Sequence, residues 1–218
     1  MEIKVMKNIL GENEKIADEN RKFFRDKKVF VLNLMGSPGS GKTTLLEKTL
    51  ARLTKEINVA VIEGDLFTAR DAERIERQGV PVVQINTAGG CHLDAAMVQR
   101  AAESLDLDKI NLLIVENVGN LVCPAEFDIG ENMKAVVLSI TEGDDKPLKY
   151  PLIFKESAVC LLNKIDLLTF TNFNLEQARE DLFTIHPQIE IFETSATKDI
   201  GIYNWCEFIR LQVSAFSF

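Results

Sequence analysis

No apolar run in the sequence approaches the roughly 20 residues that a membrane-spanning helix needs. The opening stretch, MEIKVMKNILGENEK, is too charged to hold the apolar core of a signal peptide. Basic charge is also scarce. Only 25 Lys and Arg stand against 33 Asp and Glu, for a net charge of −8, the wrong sign for a protein that neutralises the phosphates of a polynucleotide. These absences argue against a membrane or nucleic-acid partner and point to the cytoplasm. The four cysteines, Cys91, Cys123, Cys160 and Cys206, include no C-x-x-C pair. In a reducing compartment they read as thiols or metal ligands rather than a disulfide framework. Internal repeats and low-complexity segments are missing too. With 218 residues, 46% of them hydrophobic, the chain can core one α/β domain but not two with linkers.

What is present centres on residues 29–44, VFVLNLMGSPGSGKTT, an apolar run that stops at Gly36 and becomes a glycine-punctuated loop. Gly36, Gly41, Lys42 and Thr43 fill the G-x-x-x-x-G-K-[ST] pattern, with Ser37, Gly39, Ser40 and Thr44 completing the stretch. A strand before such a loop and a helix after it aim successive backbone N–H groups and the positive end of the helix dipole at a phosphate chain. Lys42 would reach the outer phosphates and the Thr43 hydroxyl would hold Mg²⁺. The alternative is a plain glycine-rich turn between a strand and a helix.

Short apolar runs recur after the loop: VAVIEG from Val59, PVVQIN from Pro81, LLIVEN from Leu112, AVVLSI from Ala135, AVCLLN from Ala158 and IEIFET from Ile189. Leu46, Leu50 and Leu53 repeat at helical spacing behind the loop, and further helices are predicted over roughly 69–78, 93–105, 175–183 and from about 200 toward 213. Continuous rather than alternating apolar strands, separated by helices, predict an α/β fold: a doubly wound, mostly parallel sheet of about seven strands. Residues 29–218 form this phosphate-loop NTPase domain. Residues 1–28 are predicted to form a helical arm, amphipathic over roughly 12–27 through Ile16, Phe23 and Phe24, that packs on the main domain or on a second subunit.

Ligands in such folds collect at the C-terminal strand ends. Asn163, Lys164 and Asp166 form N-K-x-D after the run ending at Leu162. An Asp carboxylate can accept hydrogen bonds from N1–H and the N2 amino group of guanine, donors that adenine lacks, while Lys164 covers the base and Asn163 braces it. Ser195 and Ala196, after IFET, fall where a guanine pocket is completed. Glu116 closes its strand as the acid that acts on Mg²⁺ or the attacking water. Asp65 has a magnesium or water role for the same reason, and Asp71 is either a further catalytic acid or a simple first-turn charge. No glutamine presents itself to position the water.

Cys91 and His92 follow INTAGG, and Cys123 lies in the loop GNLVCPAEF, both at the nucleotide edge of the sheet. Thiolate and imidazole suit Zn²⁺, Ni²⁺ and Cu ions. Three ligands fall short of a closed four-coordinate shell, which the same residues of a two-fold partner could complete. Alternatively, the two thiols are small buried hydrophobes and His92 caps a helix. Cys160, inside a strand, and Cys206, beside Trp205, read as core residues; His186 beside Pro187 reads as a loop residue.

GSPGSGKT, EGDLFTARDAERI, GGCHLDAAMV, ENVGNLVCPAEFDIGE and NKID together resemble the hydrogenase maturation GTPases of the HypB type, from about residue 30 onward. The resemblance implies a slow GTPase (G) domain and a homodimer formed in response to GTP. It also implies an interfacial metal site in which Cys91, His92 and Cys123 bind Ni²⁺ or Zn²⁺, and partners that include a hydrogenase large subunit and a second nickel maturation factor. Two features depart from the family. The first residues carry no cysteine- or histidine-rich nickel motif, and Thr87-Ala88-Gly89-Gly90 replaces a T-G-K form. The leading expectation is therefore a GTP-hydrolysing nickel metallochaperone. A urease-type nickel GTPase is less favoured because Cys123-Pro124 is followed by Ala125 rather than His, and a phosphate-loop small-molecule kinase because it has no need of N-K-x-D.

Overall fold

A computed structural model describes residues 2–65 and 70–216. Seven strands make one sheet: β1 Phe30–Gly36, β2 Val59–Asp65, β3 Val82–Asn86, β4 Leu112–Glu116, β5 Met133–Ser139, β6 Val159–Asn163 and β7 Glu190–Glu193. Their order across the sheet is β3-β2-β4-β1-β5-β6-β7, and every neighbouring pair is parallel. The α-helices among the described residues are α1 Glu2–Asp26, α2 Lys42–Leu53, α3 Arg70–Glu76, α4 Ala95–Ala102, α5 Cys123–Glu126, α6 Lys146–Lys149, α7 Pro151–Glu156, α8 Leu175–Ile185 and α9 Ile202–Phe216. None is long and apolar enough to cross a membrane.

The apolar runs lack alternation because both faces of the sheet are covered. Leu32 and Leu34 of β1, with Ala135 and Val137 of β5, face α2 and α9 through Leu45, Leu46, Leu50, Trp205 and Ile209. Val31, Ala60, Ile62, Leu113 and Val115 face the other way, against Val98 and Ala102 of α4. Val136, Leu138, Cys160 and Leu162 pack on that same side against α7 and α8. Each large side chain buried this fully stabilises the fold by about 1.5–3 kcal/mol. Cys160 and Cys206 belong to these cores, and burial pushes the Cys206 thiol up to about 12.

Helix α1 starts ten residues before the expected stretch of roughly 12–27, because Glu, Lys, Met and Leu carry the helical backbone through Gly11. It is fastened to the sheet layer. Asn20 Nδ2 donates to the carbonyls of Ala95 (2.8 Å) and Ile129 (3.0 Å), and Phe24 lies in the α4-side core. The short helices α5, α6 and α7 were not expected; one to two turns opened by Pro124, Pro147 and Pro151 are too brief to show a hydrophobic period. Cys123, expected in a loop, is the first residue of α5.

Candidate functional site

Strand β1 feeds its loop into α2, and Gly41 stands at the helix N-cap with φ +98°. That left-handed conformation favours glycine, and a Cβ there would lie 2.5 Å from Asn163 Nδ2. The opening turn of α2 therefore presents unpaired N–H groups to a cleft of about 450 Å³. Lys42 is buried, its Nζ donating to the carbonyls of Gly36 (3.1 Å) and Ser37 (3.3 Å). Ser37 Oγ donates to Glu142, which follows β5, and so anchors the front of the loop. Ser40 Oγ is buried without a hydrogen-bond partner.

Thr43 Oγ1 donates to Glu116 Oε1 at 2.8 Å. Glu63 of β2 is the register partner of Glu116 on β4, and the two carboxyl groups lie in hydrogen-bonding contact. Burial and the neighbouring Glu116 charge raise the Glu63 pKa; burial raises that of Glu116 as well, against the pull of Lys42. Glu63 Oε2 and Glu116 Oε2 are buried without partners. Two orphaned carboxylate oxygens beside a threonine hydroxyl fit a hard divalent cation such as Mg²⁺. Asp65 and Asp71 line the same cleft. Asp71 is tied to Arg74 (3.0 Å), and Arg74 also donates to Glu47 (2.6 Å) and to Thr44 Oγ1 (3.1 Å).

On the other side of α2, Asn163, Lys164, Asp166 and Ala196 line a pocket of about 280 Å³. Asn163 Nδ2 donates to Ser40 O (2.9 Å) and Lys164 Nζ to Gly39 O (2.6 Å), which bolts this pocket to the phosphate loop. Ser195 Oγ donates to Asp166 Oδ1, and Ala196 N–H reaches Asn163 Oδ1 at 3.4 Å. Gly39, Gly41, Lys42, Thr43, Thr44, Asp65, Asp71 and Glu116 thus line one cleft and Asn163, Lys164, Asp166 and Ala196 a second pocket, with Gly41, Thr44 and Lys164 common to both.

Cys91, His92 and Cys123 come together at the β3–β4 end of the same edge. Their ligand atoms lie within 4.8 Å of one another. Cys91 Sγ is 2.8 Å from Cys123 Sγ and 3.5 Å from His92 Nδ1. The core-hydrophobe alternative does not describe these thiols, since Cys91 is exposed and Cys123 half-exposed; nor is His92 a cap, because Asp94 is the N-cap of α4. The His92 ring stacks on Phe127 with centroids 3.7 Å apart. Burial lowers its pKa and favours the neutral, ligating imidazole. The hydrogen bond with Cys91, aided by burial, raises the Cys123 thiol. Two soft thiols and one imidazole with a fourth position open suit a borderline or soft metal ion.

Glu63, Arg74 and Glu142 escaped the sequence reading. Of these only Glu63 carried a signal, as an acid inside an otherwise apolar run. The fold and the cleft define a phosphate-loop nucleotide-binding protein. Residues 30–193 match the family model described as the CobW/HypB/UreG nucleotide-binding domain. The chain is 50% identical over 205 residues to the hydrogenase maturation factor HypB of Escherichia coli K12, covering 94% of this chain and 71% of that protein. The crystal structure of HypB from Helicobacter pylori in complex with nickel superposes with a TM-score of 0.90 at 38% identity, covering 94% of this chain and 96% of that one. HypB from Archaeoglobus fulgidus gives 0.87 at 36%, covering 93% and 99%. The chain belongs to the HypB hydrogenase maturation factors of the CobW/HypB/UreG family.

Proposed function

We propose that the protein is a GTP-hydrolysing nickel metallochaperone for [NiFe] hydrogenase maturation, in which GTP promotes a homodimer with Cys91, His92 and Cys123 at its interface. One observation carries the reading: the thiol cluster and the nucleotide cleft occupy one sheet edge, joined by residues 117–122 between Glu116 and Cys123. Asp166 and the Ser195–Ala196 backbone would read guanine. The phosphates would lie on the opening turn of α2 with Lys42 against their outer end, and Thr43 and Glu116 would hold Mg²⁺, whose chemistry is to neutralise the charge developing on the phosphates. Buried Glu63 stands beside Glu116, and Asp65 and Asp71 line the same cleft. Ni²⁺ is the cargo, taken by the neutral imidazole and the two thiols as they deprotonate, with Zn²⁺ as competitor. Exposed Val122, next to Cys123, gives a second copy an apolar contact on which to close. The hydrogenase large subunit and a second maturation factor are the proposed recipients.

Nickel affinity and sedimentation behaviour, measured with GTP and with GDP, test this. We expect tighter self-association with GTP and a different nickel affinity in the two states. Identical values in both states overturn the coupling, and phosphate release unchanged by Lys42→Ala overturns the assigned hydrolytic site.

A further inference from the structure

Residues 117–122 do more than span the distance between the two sites; their hydrogen bonds reach sideways to both. Asn117 is buried. Its N–H donates to Leu34 O (2.9 Å), its Oδ1 accepts from Leu93 N–H (3.1 Å), directly after His92, and its Nδ2 donates to Asn33 Oδ1 (3.2 Å). Asn120 is placed differently. Its N–H donates to Gly36 O at 3.0 Å, its Nδ2 donates to Cys91 O at 3.3 Å, and its Oδ1 accepts from Val122 N–H at 2.9 Å. One residue thus holds the phosphate loop, the peptide of one thiol and the peptide leading into the other. The bond to Val122 is an ordinary local asparagine turn. The bond to Cys91, 29 residues away in sequence, serves no local turn.

Gly36 O has a second donor, Lys42 Nζ at 3.1 Å. That ammonium is the group expected to move to the phosphates when nucleotide binds. The carbonyl is then left to Asn120 alone, a discrete change at the point where Asn120 is attached. The contact is also steric: a Cβ on Gly119 would stand 2.9 Å from Pro38 N and 3.0 Å from its Cα. At the far end the two thiols are in contact, and sharing one tetrahedral ion at metal–sulfur distances of about 2.3 Å sets their sulfurs about 3.8 Å apart. The Cys91 and Val122 peptides, both held by Asn120, carry these sulfurs.

We infer that Asn120 is the positioning residue that passes the state of the phosphate loop to the Cys91–Cys123 pair, setting the spacing of the two thiols for a thiophilic divalent cation. The inference rests on the nucleotide-and-metal reading given under Proposed function. The test is Ni²⁺ affinity of the full chain, by competition with a chromophoric chelator, in the presence of GDP and of a non-hydrolysable GTP analogue. Wild type should show at least about a fivefold difference between the two states. Asn120→Ala should bring that ratio within twofold of unity while each nucleotide still binds to within about threefold of wild type. Asn120→Asp, which keeps the acceptor for Val122 but loses the donor to Cys91, should lose the ratio as well. Should Asn120→Ala fold poorly, Gly119→Ala perturbs the same link from the Pro38 side and should also lose the ratio, read at saturating nucleotide because Gly119 lines the cleft. An Asn120→Ala protein that keeps the wild-type ratio overturns this inference alone. A wild-type ratio of unity overturns the coupled reading and this inference together.

Discussion

Replacing Asp166 with Asn probes the base pocket, and the structure sets the size of the effect. Asp166 is half-buried beside a pocket of about 280 Å³, with one carboxylate oxygen receiving Ser195 Oγ. An ionised carboxylate has about four lone-pair sites, enough for Ser195 and for both guanine donors. Asparagine keeps an oxygen for Ser195 but turns an NH₂ group toward the guanine amino group, donor against donor. Hydrogen bonds to charged groups contribute about 1.5–3 kcal/mol each, and this pocket is open to water, so the low end applies. Two such bonds come to about 3 kcal/mol, or roughly 100-fold in Kd. Xanthine carries a carbonyl where guanine carries its amino group, so the variant should prefer XDP over GDP by at least about tenfold. Displacement of a fluorescent GDP by GDP, XDP and ADP reads all three. If Asp166→Asn holds GDP to within about threefold of wild type, or if wild type binds ADP as well as GDP, the pocket does not read guanine through this carboxylate.

Other perturbations follow from the same geometry. Cys91→Ala and Cys123→Ala should each weaken Ni²⁺ binding by more than the roughly 10–100-fold that loss of a supporting contact costs, with GDP binding unchanged; metal content after dialysis checks this, and full retention in either variant removes that thiol from the site. Gly41→Ala sets a Cβ 2.5 Å from Asn163 Nδ2 at φ +98°, strain of about 1–3 kcal/mol, and should weaken GDP binding about tenfold by calorimetry. Trp205→Ala empties a side chain that is 1% exposed and should cost about 3–5 kcal/mol in urea unfolding; a loss under about 1 kcal/mol would contradict its place in the core. Asn20→Ala leaves the carbonyls of Ala95 and Ile129 without their side-chain donor and should cost about 1–3 kcal/mol, which an exposed and loosely attached α1 would not register.

The sheet was legible because strands buried on both faces must be continuously apolar: β1, β2, β4, β5 and β6 show almost no exposed position. The edge strand β7 stood out less, because Glu190 and Glu193 flank only Ile191 and Phe192 in its run. The phosphate loop and N-K-x-D could be found because each is contiguous. What could not be found is built from residues close only in space. Glu63 meets Glu116 through strand register, Arg74 reaches Thr44 and Glu47 from another helix, and Asn120 meets Cys91 across the end of the intervening strand β2. Thiol exposure is likewise a tertiary property; spacing left Cys91 and Cys123 open between core and ligand, and burial decides against the core.

The strand order has a consequence for the life of the chain before it is folded. The loops after β3 and β4 are neighbours only because β2 lies between those strands in the sheet. The separation of 32 positions from Cys91 to Cys123 imposes a closure entropy of about 3 kcal/mol on the unfolded polypeptide. A nascent chain therefore offers a passing metal ion two isolated thiols, whereas a C-x-x-C pair would chelate as soon as it was translated. The three-residue cluster is complete only once β2, β3 and β4 have assembled, and the cleft beside them is lined by residues of the same strands. Under the proposed function, the first ion would meet a site that already adjoins the nucleotide cleft.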